Sequence, residues 1–124
     1  MNKRDKRIFQ KVLGYCAKVA KAHQFFHDDK SLFIDEEAGF IYRDAVSMSI
    51  LQIGELSKSL TDETRQAHPD IPWREVIRMR DVAAHHYGSW DYEKAWDTSR
   101  DDVPVLAEEI RHILEMEPEE TAEA

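Results

Sequence analysis

A single cysteine, Cys16, leaves this chain unable to close an internal disulfide, so its stability has to come from packing. A reducing, cytosolic compartment is the simplest home for such a chain, and the apolar neighbours of Cys16 predict a buried thiol. Glycine is scarce, four in 124 residues, and no segment alternates apolar with polar residues. Both absences count against a β-rich architecture. No apolar run approaches the roughly 20 residues of a membrane span, and the basic N-terminus lacks the apolar region of a secretion signal. Neither export nor a membrane anchor is expected. Internal repeats are also missing, which excludes a solenoid.

What is present is a mixture of 42% apolar and 34% charged residues, enough apolar surface for one core at this length. The net charge of −8 argues against broad binding to a polyanion. The charge is unevenly spread, however. Lys3, Arg4, Lys6, Arg7 and Lys11 crowd the N-terminus, and Arg74, Arg78 and Arg80 stand beside His85 and His86. Acid collects at Asp35-Glu36-Glu37, at Asp101-Asp102 and beyond Glu117. Any anion-binding surface must be small and focused.

Apolar residues at steps of three and four predict a helix over residues 5–27, carrying Ile8, Val12, Tyr15, Cys16, Val19 and Phe26. Asp35 offers an N-cap for a second long helix, with an apolar stripe through Ile41, Ala45, Met48, Gln52, Leu56 and Leu60. The polar stretch from Thr61 to Pro69 holds at most a short turn of helix. Pro72 suits the first turn of a third helix, running from about Trp73 to His86 or Tyr87 and stopping near Gly88. A fourth pattern runs from Asp91 to about Met116, with Pro104 expected to kink or split it. The reading is an all-α up-and-down bundle forming one domain over 1–116, with an acidic tail over 117–124 expected to be disordered.

The third helix carries Arg80-Asp81-Val82-Ala83-Ala84-His85-His86-Tyr87. Asp81 and His85 are i and i+4, so the carboxylate can hold one imidazole nitrogen and fix the tautomer. Arg80 lies about 140° around the helix from His85, whereas Tyr87 falls near the Arg80 face. One cleft containing both Arg80 and His85 therefore needs a helix end, a bend, or a second copy of the helix. Such a trio suits RNA cleavage without a metal. A histidine can take a proton from the ribose 2′-OH or give one to the leaving 5′-oxygen, typically worth about 10²–10⁴ in rate. Arginine forks onto the phosphate oxygens and stabilises the charge of the transition state.

In that spacing of Arg, polar residue, His and Tyr the chain resembles the HEPN superfamily, and in particular its HepT branch of toxin ribonucleases. Similar words flank the motif: Ser49-Ile50-Leu51-Gln52-Ile53-Gly54-Glu55-Leu56, Ile71-Pro72-Trp73-Arg74, Met79-Arg80-Asp81 and Tyr92-Glu93-Lys94-Ala95-Trp96. The likeness covers most of residues 5–115. It implies a homodimer of four- to five-helix subunits, with motif helices from both subunits bordering one cleft. It also implies a type VII toxin–antitoxin pair, in which an MNT-type nucleotidyltransferase antitoxin transfers AMP from ATP to Tyr87. The RNA attacked in such families is tRNA or mRNA. By this resemblance Arg80 and His85 are the catalytic residues, Asp81 supports them, Tyr87 is modified, and Arg74, Arg78 and His86 are candidates for RNA contact. No cofactor or metal is implied. The chain departs from the family pattern at Asp81, often Asn, at His86, often acidic, and at Arg78, often small.

Simpler readings stand beside these. Arg80 and Asp81 can be solvated helix charges, His85 a half-buried histidine, and Tyr87 a packing residue. His23 and His27 are i and i+4, but with no third ligand they read as a polar helix face rather than a zinc site. Trp73, Trp90 and Trp96 read as core or interface anchors. A second functional reading is a silent module that binds RNA or nucleotide and serves as a scaffold for its nucleotidyltransferase partner.

Overall fold

The computed structural model describes residues 1–84 and 91–117, and every regular element among them is helical. In chain order these are α1 (Lys3–Phe25), α2 (Lys30–Ile34), α3 (Phe40–Lys58), α4 (Asp62–Ala67), α5 (Trp73–Ala84), α6 (Tyr92–Asp97) and α7 (Val103–Met116). A π-helical turn, Thr98–Asp102, joins α6 to α7. Helix α3 lies in the middle, between α1 and α5, and α7 covers α1 from another side. The all-α bundle expected from the sequence is present.

Helix α1 begins where the Asn2 side chain accepts the Asp5 N–H at 2.7 Å, and it buries the stripe Ile8, Phe9, Val12, Cys16, Val19 and His23. Cys16 is buried as expected, and loss of solvation pushes its thiol up to about 12. Two polar clusters fix α1 against α3. Near one end, buried Asp5 accepts hydrogen bonds from the Thr61 and Thr64 hydroxyls, each at 2.6 Å. Near the other, His23 lies between Tyr42 (Nδ1 to OH, 2.5 Å) and Ser99 (Nε2 to Oγ, 2.8 Å). Residue 5 meets 61 and residue 23 meets 42, so α1 and α3 run antiparallel.

The tautomer of His23 follows from donor counting. Ser99 Oγ gives its only proton to the Trp96 carbonyl at 3.1 Å, so it must accept from His23 Nε2–H. Nδ1 is then the acceptor and takes the Tyr42 hydroxyl proton. His23 is thus a buried, neutral connector rather than part of a polar surface face, and desolvation lowers its pKa. Phe33 and Trp96 pack around it at ring-centroid distances of 6.3 Å and 5.1 Å.

Three features differ from the sequence reading. Asp35 does not cap α3; its carboxylate accepts the N–H groups of Glu37 and Ala38, closing a turn that delays the helix to Phe40. The buried face of α3 is Tyr42, Arg43, Val46, Ser47, Ser49, Ile50, Ile53, Gly54 and Ser57, while Ile41 and Met48 are 59% and 60% exposed. A helix flanked on two sides needs small residues for close approach, and its serines and glycine supply them. Pro104 splits nothing by itself. It sits in the first turn of α7, where its missing N–H is tolerated, and the preceding π-turn, closed by Val103 N–H to the Thr98 carbonyl, takes up the irregularity.

Candidate functional site

Helix α5 starts on a firm base. The Ile71-Pro72 turn leads into Trp73, whose indole N–H points at two carbonyls that end α4, Arg65 at 3.1 Å and His68 at 3.0 Å. Its ring leans on Phe9 of α1 at 6.1 Å. The Pro72 carbonyl accepts the Val76 N–H at 3.0 Å, which opens the helical ladder just ahead of the buried pair Val76 and Met79. Arg80 follows Trp73 by two turns, about 10 Å along the axis, so the anchored end of α5 fixes its height.

Arg80 faces α3. Its Nη1 lies 3.0 Å from Glu55 Oε1, and its Nε lies 3.6 Å from Asp81 Oδ1. The three side chains remain open to solvent, 36% for Arg80, 49% for Glu55 and 62% for Asp81. The cause of this juxtaposition is Gly54. A Cβ at that position would stand 2.7 Å from Arg80 Cβ, 2.8 Å from Arg80 N and 3.1 Å from the Ile77 carbonyl. Backbone therefore meets backbone where α3 and α5 cross, and the next residue on α3 delivers its carboxylate to the guanidinium.

Arg78 does not join this group. Two residues from Arg80, it points about 160° away around α5. There it lines a cavity of about 460 Å³ with Glu75, Met79, Asp81, Lys94, Thr98 and Asp102. Burial raises the carboxyl pKa of Asp102 at this cavity, helped by Asp101 and Asp97. Arg74 is exposed one turn before Arg78. Asp81 thus stands between the Arg80 edge and the Arg78 cavity. His85, His86 and Tyr87 lie outside the described residues, as do Trp90 and the tail beyond Glu117.

An exposed cation set between carboxylates, on the helix that runs toward the His-His-Tyr triplet, is a surface on which a phosphate can displace a side chain. Comparison with known proteins gives that surface its setting. Residues 16–113 match the family described as Ribonuclease HepT-like. The chain belongs to the HepT-like ribonuclease family. Over 62 residues, 50% of this chain, it is 42% identical to "Probable ribonuclease HepT" of Thermococcus cleftensis, and it spans only 56% of that protein's length. Two proteins of Methanocaldococcus jannaschii are matched nearly end to end. "Putative RNase MJ0125" is 31% identical over 92% of this chain and 95% of its own length, and "Putative RNase MJ1380" is 29% identical over 91% and 100%. No solved structure matches the chain.

Within this HepT-like frame, two residues at the site were missed by the sequence reading as anything but flanking text. Glu55 is one of 25 acidic residues, and on a helix it reads as a solvated charge. Gly54 carried the available signal. Glycine inside a strongly helical segment costs about 1 kcal/mol relative to alanine, which points to a close approach of another backbone.

Proposed function

We propose that this HepT-like chain is an endoribonuclease toxin that cleaves tRNA or mRNA by attack of a ribose 2′-OH on the adjacent phosphorus. The observation that carries the reading is the guanidinium of Arg80, held at the surface by carboxylates that a phosphate can replace. Arg80 clamps the scissile phosphate. His85 takes the 2′-OH proton or delivers one to the departing 5′-oxygen. The new O–P bond gives a 2′,3′-cyclic phosphate, and the broken P–O bond leaves a 5′-hydroxyl. Neither proton transfer nor charge stabilisation in this scheme calls for a metal. Asp81, next to Arg80 and i−4 from His85, orients the imidazole.

The active form in this reading is a cytoplasmic homodimer. Ile41 and Met48, exposed and seven residues apart on α3, offer an apolar contact face on the helix that carries Glu55. A second copy would bring its own motif helix to the cleft and supply the His85 that helical spacing sets apart from Arg80. The off-switch is Tyr87. An MNT-type nucleotidyltransferase antitoxin joins the Tyr87 oxygen to the α-phosphorus of ATP, releasing pyrophosphate, and the added charge and bulk exclude RNA.

The test is incubation of the unmodified protein with tRNA or mRNA in EDTA, followed by end mapping. Cyclic phosphate ends that vanish in His85→Ala are expected; intact RNA despite tight binding would overturn catalysis in favour of the scaffold reading. Mass spectrometry after incubation with the antitoxin and ATP should place AMP on Tyr87 and leave Tyr87→Phe unmodified.

A further inference from the structure

We infer that Glu55 is a positioning residue: it presets the guanidinium of Arg80 before RNA arrives, and Gly54 exists to let it do so. The inference rests on the ribonuclease reading above and assigns a third residue to that site.

Three observations converge. Glu55 Oε1 takes Nη1 of Arg80 at 3.0 Å while Asp81 stands 3.6 Å from Nε, so the planar fork is held from two edges. The two carboxylates come from different helices, which fixes direction as well as distance. Second, the pair is too exposed to matter much for folding, since ion pairs of this kind contribute about 0–1 kcal/mol. Third, the chain accepts a helix-interior glycine at 54 where any Cβ would collide with Arg80 itself. A costly residue that brings a carboxylate to one particular arginine, for little return in stability, is better explained by what that arginine does.

The chemistry gives the reason. A free arginine side chain carries about 2 kcal/mol of rotamer entropy, and clamping a phosphate has to remove it. Glu55 removes it beforehand, so charge stabilisation in the transition state requires less reorganisation. The carboxylate also opposes the negative charge of RNA. Its loss should therefore leave ground-state binding equal or tighter while slowing the chemical step. A residue that merely supported the fold would not separate KM from kcat in this direction.

The experiment compares Glu55→Ala, Glu55→Gln and Glu55→Asp with wild type, each alone and combined with Arg80→Lys, in cleavage of the same RNA. Glu55→Ala is expected to lower kcat about 10- to 100-fold with KM unchanged or reduced, and Glu55→Gln, which keeps the acceptor oxygen, to recover part of the loss. In the Arg80→Lys background, where no fork remains to be aimed, the same changes should have little further effect. A Glu55→Ala enzyme with wild-type or higher kcat, or an equal loss in both backgrounds, would overturn the inference. If Arg80→Lys itself cleaves like wild type, the ribonuclease reading of Arg80 fails instead. The Arg80 Nε–H resonance in nitrogen-15 NMR gives a readout that needs no cleavage. It should be sharp in wild type and broadened in Glu55→Ala; an unchanged resonance would mean that Glu55 does not hold the side chain.

Discussion

Two arginines, Arg43 and Arg80, divide the work of this molecule. Arg43 is 3% exposed. It donates to the backbone carbonyls of Phe33, Asp35 (2.7 Å) and Glu36 (2.9 Å), and its guanidinium stacks 3.9 Å from the Tyr92 ring centroid. Arg80 touches side-chain carboxylates at the surface. Carbonyls of a folded turn cannot leave, and a buried guanidinium cannot find another partner, so Arg43 is committed to holding the α2–α3 turn against the start of α6. Exposed carboxylates can swing away, so Arg80 stays available. The same cation is structural or chemical according to whether its partners are exchangeable.

The sharpest way to break this contrast is to delete each cation in turn. Arg80→Ala should lower kcat/KM for RNA cleavage by about 10²–10³, the usual cost of losing one transition-state donor, with a melting temperature close to wild type. Arg43→Ala should do the reverse. Three carbonyls lose their donor, on the order of 3 kcal/mol, and thermal unfolding should come roughly 10 °C or more earlier, while cleavage persists wherever the variant is folded. If Arg43→Ala melted like wild type, the comparison would collapse.

Gly54→Ala tests the boundary between the two roles. Elsewhere in an exposed helix this change stabilises by up to about 1 kcal/mol. At 54 the new methyl meets Arg80, so the expected sign is opposite, a loss of about 1–3 kcal/mol from overpacking together with slower cleavage. Chemical denaturation and cleavage assays on one preparation would read both.

The smallest expected effect concerns pH. Desolvation lowers the pKa of His23, opposed by Asp28 and assisted by Arg100, so the folded state favours neutral imidazole. The unfolded state takes the proton first, and stability should begin to fall as pH drops through the ordinary 6.5. Asp5 acts lower down. Burial raises its pKa, but the Thr61 and Thr64 hydroxyls outweigh burial and bring it below 3.8, so its contribution holds above that value and is lost as pH falls through the lowered one. Denaturation midpoints measured across pH should show two descending steps toward acid, and His23→Gln should erase the upper one. A midpoint constant from pH 7 to 5 would contradict the assignment of His23 as a neutral connector.

How far the sequence led depends on how local each cause was. The helical periods of α1 and the start of α5 at Ile71-Pro72-Trp73 are local, and both were readable. The face of α3 was not, because its exposed side carries Ile41 and Met48 while its buried side carries Arg43 and three serines. Polarity there follows what α1, α5 and the α2–α3 turn require. His23 was misread for the same reason: its partners Tyr42 and Ser99 lie 19 and 76 residues away. At the site, Arg80 and Asp81 were legible through the spacing of their motif. Glu55 became legible only once Gly54 let two helices touch.

The π-turn at Thr98–Asp102 has a consequence for how this chain can change its length. The turn holds a surplus residue within one widened coil, so losing one residue there would leave an ordinary helix, with Val103, Leu106 and Ile110 still directed at the core. The same loss inside α5 would rotate everything after it by about 100° and carry Arg80 away from α3. Ser99, lifted by the bulge toward His23, is what such a shortened chain would give up. The segment between α6 and α7 is therefore where this family's chains can most easily vary in length without losing their bundle.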